Sequence, residues 1–123
     1  MQKAHSDLKA SKLLLDQPGD DLIEGSVYHS QQCAEKAIKG FLTFSKLRFG
    51  KTHNILELIE ILEKQDSVFA EALKPADKLT IYATAFRYPE EGKEPIPLNR
   101  ETATNAYNLA NWVLLEIQAK LPN

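Results

Sequence analysis

The chain is expected to be all-α, an antiparallel up-and-down bundle of four to five helices forming a single domain over residues 1–123. Three observations predict this. Apolar residues recur at helical spacing along most of the sequence. No stretch alternates over enough residues to build a sheet. Proline, glycine and asparagine fall between the periodic stretches, where helices must stop and start.

The first helix is expected over residues 3–15, where Ala10, Leu13 and Leu14 hold helical spacing. Pro18 and Gly19 in QPGDD break it. A second helix begins near residue 21 and ends before Gly50. Within it Val27, Ala34, Ile38 and Phe41 make an apolar face, and Tyr28, Gln32, Glu35, Lys36 and Lys39 make a polar stripe beside it. Asn54 with Glu57 has the spacing of a capping box, opening a third helix with Ile55, Leu58, Ile59 and Leu62 at i, i+3, i+4 and i+7. Pro75 suits the first turn of a fourth helix, with Leu79, Ala83 and Phe86 inward. Pro89 ends that helix, and PEEGKEPIPL over residues 89–98 is a loop.

Asn99 is a good N-cap for the last helix. Its inward stripe is Ala103, Ala106, Tyr107, Ala110, Val113, Leu114, Ile117 and Leu121, with the alanines allowing close approach. Trp112 lies about 180° from Ala103, near Leu115 and Ala119. A helix apolar on two sides is either central to the bundle or meets another subunit. The reading adopted is a homodimer with Trp112 and Leu115 in the interface.

Composition narrows the function. At 43% apolar and 26% charged, the chain has a globular balance, and a domain of this size needs neither metal nor disulfide to fold. No apolar run approaches the ~18 residues of a membrane span. The opening MQKAHSDLKASKLLL carries charges inside its apolar pattern, unlike a signal peptide. Cys33 is the sole cysteine, so no intrachain disulfide can form, which fits a reducing, cytoplasmic setting. A net charge of −2 argues against a general polyanion binder. The total hides a segregation, however. Lys36, Lys39, Lys46, Arg48 and Lys51 occupy a stretch with no acid, and a stretch rich in Asp and Glu follows it.

Motifs for specific chemistry are sparse. Isolated glycines make no phosphate loop or dinucleotide fingerprint, so no cofactor is expected. His29 and Cys33 are four apart, yet two ligands do not make a structural zinc site, so no metal is expected. Glu35 and Lys39 form an i, i+4 pair in the favourable order: a surface ion pair, or part of a groove with Tyr28 and Gln32. RFGKTH spaces Arg48 and His53 just before the third helix, whose N-terminus could attract an anion. Arg87 closes the fourth helix, where a cation complements the helix dipole by ~0.3–1 kcal/mol, or it points into a cleft with the second-helix stripe.

The segment Tyr28-His29-Ser30-Gln31-Gln32-Cys33-Ala34-Glu35-Lys36-Ala37-Ile38-Lys39-Gly40 resembles the second-helix signature of the HEPN family (higher eukaryotes and prokaryotes nucleotide-binding domain). Lys51-Thr52-His53 and Arg87-Tyr88-Pro89 resemble its two further markers, in the same order. The resemblance implies an all-α bundle that commonly dimerises. It also implies a prokaryotic protein often paired with a minimal nucleotidyltransferase in a toxin–antitoxin-like couple. Many relatives are metal-independent ribonucleases carrying an Arg, a polar residue directly after it, and a His four to six residues beyond the Arg, at a dimer cleft. This chain departs from that pattern: Tyr88 and Pro89 follow Arg87, and residues 90–94 hold no histidine. The expected role is therefore a module without ribonuclease activity of its own that binds a nucleotide or accompanies a nucleotidyltransferase. Its site would be Tyr28, Gln32, Glu35, Lys36, Lys39, His53, Arg87 and Tyr88. The alternatives are a ribonuclease using Arg87 or Arg48 with His53, acting on RNA, and a purely structural homodimer.

Overall fold

The computed structural model describes the backbone of residues 1–87 and 99–122, and side chains over 1–83 and 99–122. Helix α1 runs Gln2–Leu15, α2 Ile23–Phe44, α3 Ile55–Glu63, α4 Ser67–Leu73, α5 Asp77–Arg87 and α6 Arg100–Lys120, with a 3₁₀ turn at Lys74–Ala76. Among the described residues there is no strand, and the all-α bundle expected from the sequence is the architecture found.

Helix α2 is the hub. It packs against α1, α6, α5 and α3. Ile38, Leu42, Leu58, Ile59, Leu62, Leu79, Leu114 and Ile117 are fully buried and make the centre of the core. The direction of the helices follows from pairs along α1. Asp7 meets Lys36 and Ser11 meets Ser26, so α1 and α2 are antiparallel. Arg100 reaches Leu15 while Gln118 reaches His5, so α6 is also antiparallel to α1 and runs alongside α2 in the same sense. The Arg100 guanidinium donates to the carbonyls of Leu15, Gln17 (2.9 Å) and Gly19 (2.7 Å). It thus supplies donors to the end of α1, where carbonyls have no helical partner. Gly19, at φ 81°, provides the left-handed residue this turn requires.

Local differences from the sequence reading have physical reasons. The second helix ends before Gly50 as expected, at Phe44, ahead of the left-handed Lys46 (φ 61°). A seven-residue helix, α4, occupies a stretch to which the sequence reading assigns no element. The Asp66 side chain caps it by accepting from the Phe69 amide (3.0 Å), and Phe69, Ala70 and Leu73 are its inward residues. Pro75 lies in the 3₁₀ turn before α5 rather than in α5 itself. In α1 the buried row is Ala4, Asp7, Ser11 and Leu15, whereas Leu13 is 56% exposed. This small and polar row lets α1 approach α2 closely: a Cβ on Gly25 would stand 3.1 Å from Leu14 Cδ1. Its polar members are bonded. Ser26 Oγ donates to the Ser11 carbonyl (2.9 Å), and Ser11 Oγ lies 2.7 Å from Ser30 Oγ. Such pairing offsets the desolvation of buried hydroxyls.

Asn54 and Asn99 cap α3 and α6 as expected. Asn54 accepts from the Leu56 amide (2.9 Å) and Asn99 from the Thr102 amide (2.8 Å). The return arm of the Asn54 box differs. Glu57 accepts from Thr52 Oγ1 (2.6 Å), and Thr52 Oγ1 in turn accepts from the Asn54 amide (3.1 Å), so the box closes through a hydroxyl. The inward stripe of α6 is as read, with Ala103, Ala106, Ala110, Val113, Leu114 and Ile117 buried. Trp112 is half-buried against the core, and Leu115 is 55% exposed. Phe86, the third inward residue expected in α5, has its side chain outside the described residues.

Candidate functional site

The polar stripe of α2 divides into two ionic clusters, each built on a buried carboxylate. The first centres on Glu35, which is 2% exposed. Glu35 Oε1 takes His53 Nδ1 at 2.8 Å and lies 3.8 Å from Lys39 Nζ, while Oε2 accepts from Gln32 Nε2 at 3.1 Å. Gln31 Nε2 donates to the His53 carbonyl (3.1 Å), fixing the backbone that presents the ring. The second centres on Asp7 of α1, 7% exposed. His29 Nδ1 stands 2.8 Å from Asp7 Oδ1, and Lys36 Nζ donates to Asp7 Oδ2 at 2.6 Å. Tyr28 is half-buried, its ring edge-on to His29 at 5.3 Å.

Of the predicted residues, Gln32, Glu35, Lys39 and His53 therefore form one group, and Lys36 joins another. The Glu35–Lys39 pair exists but is the looser contact of that carboxylate, and it is not a plain surface pair because the acid is buried. Asp7, His29 and Gln31 were missed as site residues. The Asp7 contacts bridge 22 and 29 positions of sequence, and no local spacing rule reaches that far. The side chain of Arg87 and the whole of Tyr88 lie outside the described residues. Arg87 is the last residue of α5, about two turns beyond Thr80. Thr80 Oγ1 accepts from the Ile55 amide at 3.1 Å, which ties α5 to the start of α3 beside His53.

The N-terminus of α3, where the sequence allowed for an anion, is not open. The Ile55 amide is taken by Thr80, and the Leu56 and Glu57 amides by Asn54. The donors that would bind an anion there already have partners. Basic groups remain around His53 instead. Arg48 and Lys51 are exposed on its loop, and Lys39 Nζ sits 6.0 Å from the centre of the Phe49 ring.

The chemistry at His53 follows from its bond. A carboxylate only accepts, so Glu35 selects the imidazole tautomer with the proton on Nδ1 and leaves Nε2 as an acceptor. The side chain of His53 is 82% exposed, whereas that of Glu35 is 3% exposed. A buried acid thus orients an accessible imidazole. Cys33 has no such access. It is fully buried, and burial pushes its thiol up to about 12, with Asp7 adding to the rise and Lys36 opposing it. It stays a protonated, inert thiol at neutral pH. Among the described residues no group of His, Cys, Asp and Glu is arranged to hold a metal ion, and no helix is long and apolar enough to cross a membrane.

The HEPN domain profile matches residues 1–120, and the chain belongs to this family. A protein of Methanocaldococcus jannaschii named "Putative toxin MJ1304" is 29% identical over 96 residues, an alignment covering 73% of this chain and 61% of the relative. The chain therefore spans less than two thirds of the length of the curated relative it matches. No solved structure matches.

Proposed function

We propose that this HEPN domain is a toxin-type module that takes the sugar–phosphate backbone of RNA against the face formed by α2 and the loop before α3. The observation that carries this reading is the Glu35–His53 pair: a carboxylate buried beneath the surface holds an exposed imidazole at 2.8 Å, on a loop that also carries the exposed cations Arg48 and Lys51. Burying a carboxylate costs free energy unless it is well paired. Here the pairing fixes a group that the core does not need. Phosphate oxygens accept from guanidinium and ammonium donors, and a ribose hydroxyl donates to Nε2. The name of the archaeal relative supports the toxin-type role.

The same pair supports a second reading, metal-independent RNA cleavage. His53 Nε2 would accept the 2′-hydroxyl proton as the 2′-oxygen attacks phosphorus. The P–O5′ bond breaks, and the leaving 5′-oxygen takes a proton from solvent. A minimal nucleotidyltransferase as cognate partner remains part of the proposal through the family resemblance.

Fluorescence anisotropy with a labelled short single-stranded oligoribonucleotide tests the binding. The wild type should bind, and Arg48→Glu with Lys51→Glu should weaken binding about tenfold or more at low salt. A wild-type protein that leaves the probe unbound at low salt overturns the reading. Gel analysis of the same mixtures, without added metal, separates binding from cleavage. Cutting that persists undiminished in His53→Ala rejects His53 as the base.

A further inference from the structure

One hollow in the described surface brings two lysines of the α2 stripe, Lys36 and Lys39, together with the first turn of α1, which has not figured in the site so far. It is an open depression of about 310 Å³ between the start of α1 and the middle of α2, lined by Lys3, Ala4, Lys36 and Lys39 together with Met1 and Gln2. Three ammonium side chains from two helices border it, and no carboxylate lines it.

Two of these lysines are held from below. Lys36 is fixed by Asp7 (2.6 Å), and Lys39 stands 3.8 Å from Glu35. Both acids are buried, so a ligand in the hollow meets the ammonium groups and not the carboxylates. Restraint of the lysines also lowers the side-chain entropy that binding would otherwise cost. Lys3 is exposed. Besides the Gln2 amide, the rest of the lining is apolar or aliphatic: the Met1 and Ala4 side chains and the lysine stems, which suit the face of a sugar or base.

Lys39 links the hollow to the His53 group, since it lines the one and stands 3.8 Å from the Glu35 carboxylate of the other. Lys39 and His53 both approach the same oxygen, Glu35 Oε1. A strand whose backbone spans both His53 and Lys39 would reach the hollow through that lysine. We infer that the lysine-lined hollow between α1 and α2 is a phosphate subsite for RNA lying against His53, with Lys3 as its outer cation. This rests on the RNA reading above. It extends the contact surface onto α1, which sequence reading left out of the site altogether.

The test uses the same labelled oligoribonucleotide across a salt series, with Lys3→Glu and, separately, Lys39→Gln. Lys3 is exposed and makes no contact in the core, so the fold should survive Lys3→Glu, and an unchanged thermal melt checks this. The expected result is binding weakened about tenfold by Lys3→Glu at low salt, with the slope of log K against log salt shallower by about 0.7, the value for one phosphate contact to a single strand. Lys39→Gln should act in the same direction, and Lys39→Arg should restore binding. Wild-type binding that both substitutions leave unchanged, in affinity and slope, overturns the subsite while the His53 reading stands. No wild-type binding at all overturns both.

Discussion

Glu35→Gln separates the two things a buried carboxylate can do, which are to stabilise the fold and to set the chemistry of a neighbour. The substitution keeps the shape of the side chain and removes its charge. Its structural cost can be worked from the contacts. Oε2 accepts from Gln32 at 3.1 Å, and the new amide oxygen can keep that bond. The Lys39 contact is long, at 3.8 Å. The His53 contact is short, but the ring is 82% exposed, so it belongs with exposed ion pairs at ~1 kcal/mol or less rather than with buried charge-assisted bonds. The expected loss in urea denaturation is therefore about 1 kcal/mol. The effect on His53 is larger in kind. With its oxygen turned to Gln32, the amide presents its N–H to Nδ1, which must then accept, and the proton moves to Nε2. Long-range nitrogen–proton NMR of the imidazole at pH about 8.5, where an ordinary imidazole is neutral, reads the tautomer directly. The wild type should carry the proton on Nδ1 and the variant on Nε2. A wild-type His53 with its proton on Nε2, or one that Glu35→Gln leaves unchanged, refutes the idea that Glu35 orients the ring.

Two further outcomes follow from the structure. Burial pushes the Cys33 thiol up to about 12 in the folded chain, well above the ordinary thiol range. The folded state then holds this proton more tightly than the unfolded state does. Stability from this source is complete below pH ~9 and falls as pH rises towards 12, by at most about 1.4 kcal/mol per pH unit. Urea denaturation should show the wild type losing about 2 kcal/mol relative to Cys33→Ala between neutral pH and pH ~10.5, and parallel profiles would reject the burial argument. Leu115 is 55% exposed on the outer face of α6, while Trp112 packs against the core. If that face joins two copies, Leu115→Asp yields monomers on sizing without a drop in melting temperature, and a dimer that persists moves the interface elsewhere.

The sequence signals that worked were local ones. Asn54 and Asn99 announce their helices because an N-cap and the amides it serves lie within three residues. The α2 stripe is regular over about three turns and the α6 face over about five, so their orientation is readable from spacing alone. Helix α4 escaped because seven residues hold too few periods, and its cap, Asp66, lies in a run of acids that reads as solvated surface. The site was half legible. His53 and Glu35 were both marked, but Glu35 was assigned to its neighbour Lys39, the partner that i, i+4 spacing offers. The stronger bond goes to a ring eighteen residues away. Asp7 carried no signal at all, since an acid among Lys3, Lys9 and Lys12 looks like the polar face of a surface helix.

The two clusters share a composition that bears on how a chain of net charge −2 would take a polyanion. Each buried acid holds one histidine and one lysine: Asp7 has His29 and Lys36, and Glu35 has His53 and Lys39. With neutral imidazoles, each cluster sums to no net charge. The α2 stripe therefore projects little field into solvent, and long-range attraction comes from the rim, from Lys3, Arg48 and Lys51. Long-range fields steer encounter, whereas fixed short-range donors decide what stays bound. A face built this way discriminates by fit rather than by bulk charge. Its binding should lose on-rate when a rim cation is removed and gain off-rate when a stripe lysine is removed. Stopped-flow traces for Lys51→Glu and Lys39→Gln, compared on one RNA probe, would show that division; equal effects on both rates from both substitutions would mean that the stripe and the rim form a single electrostatic surface.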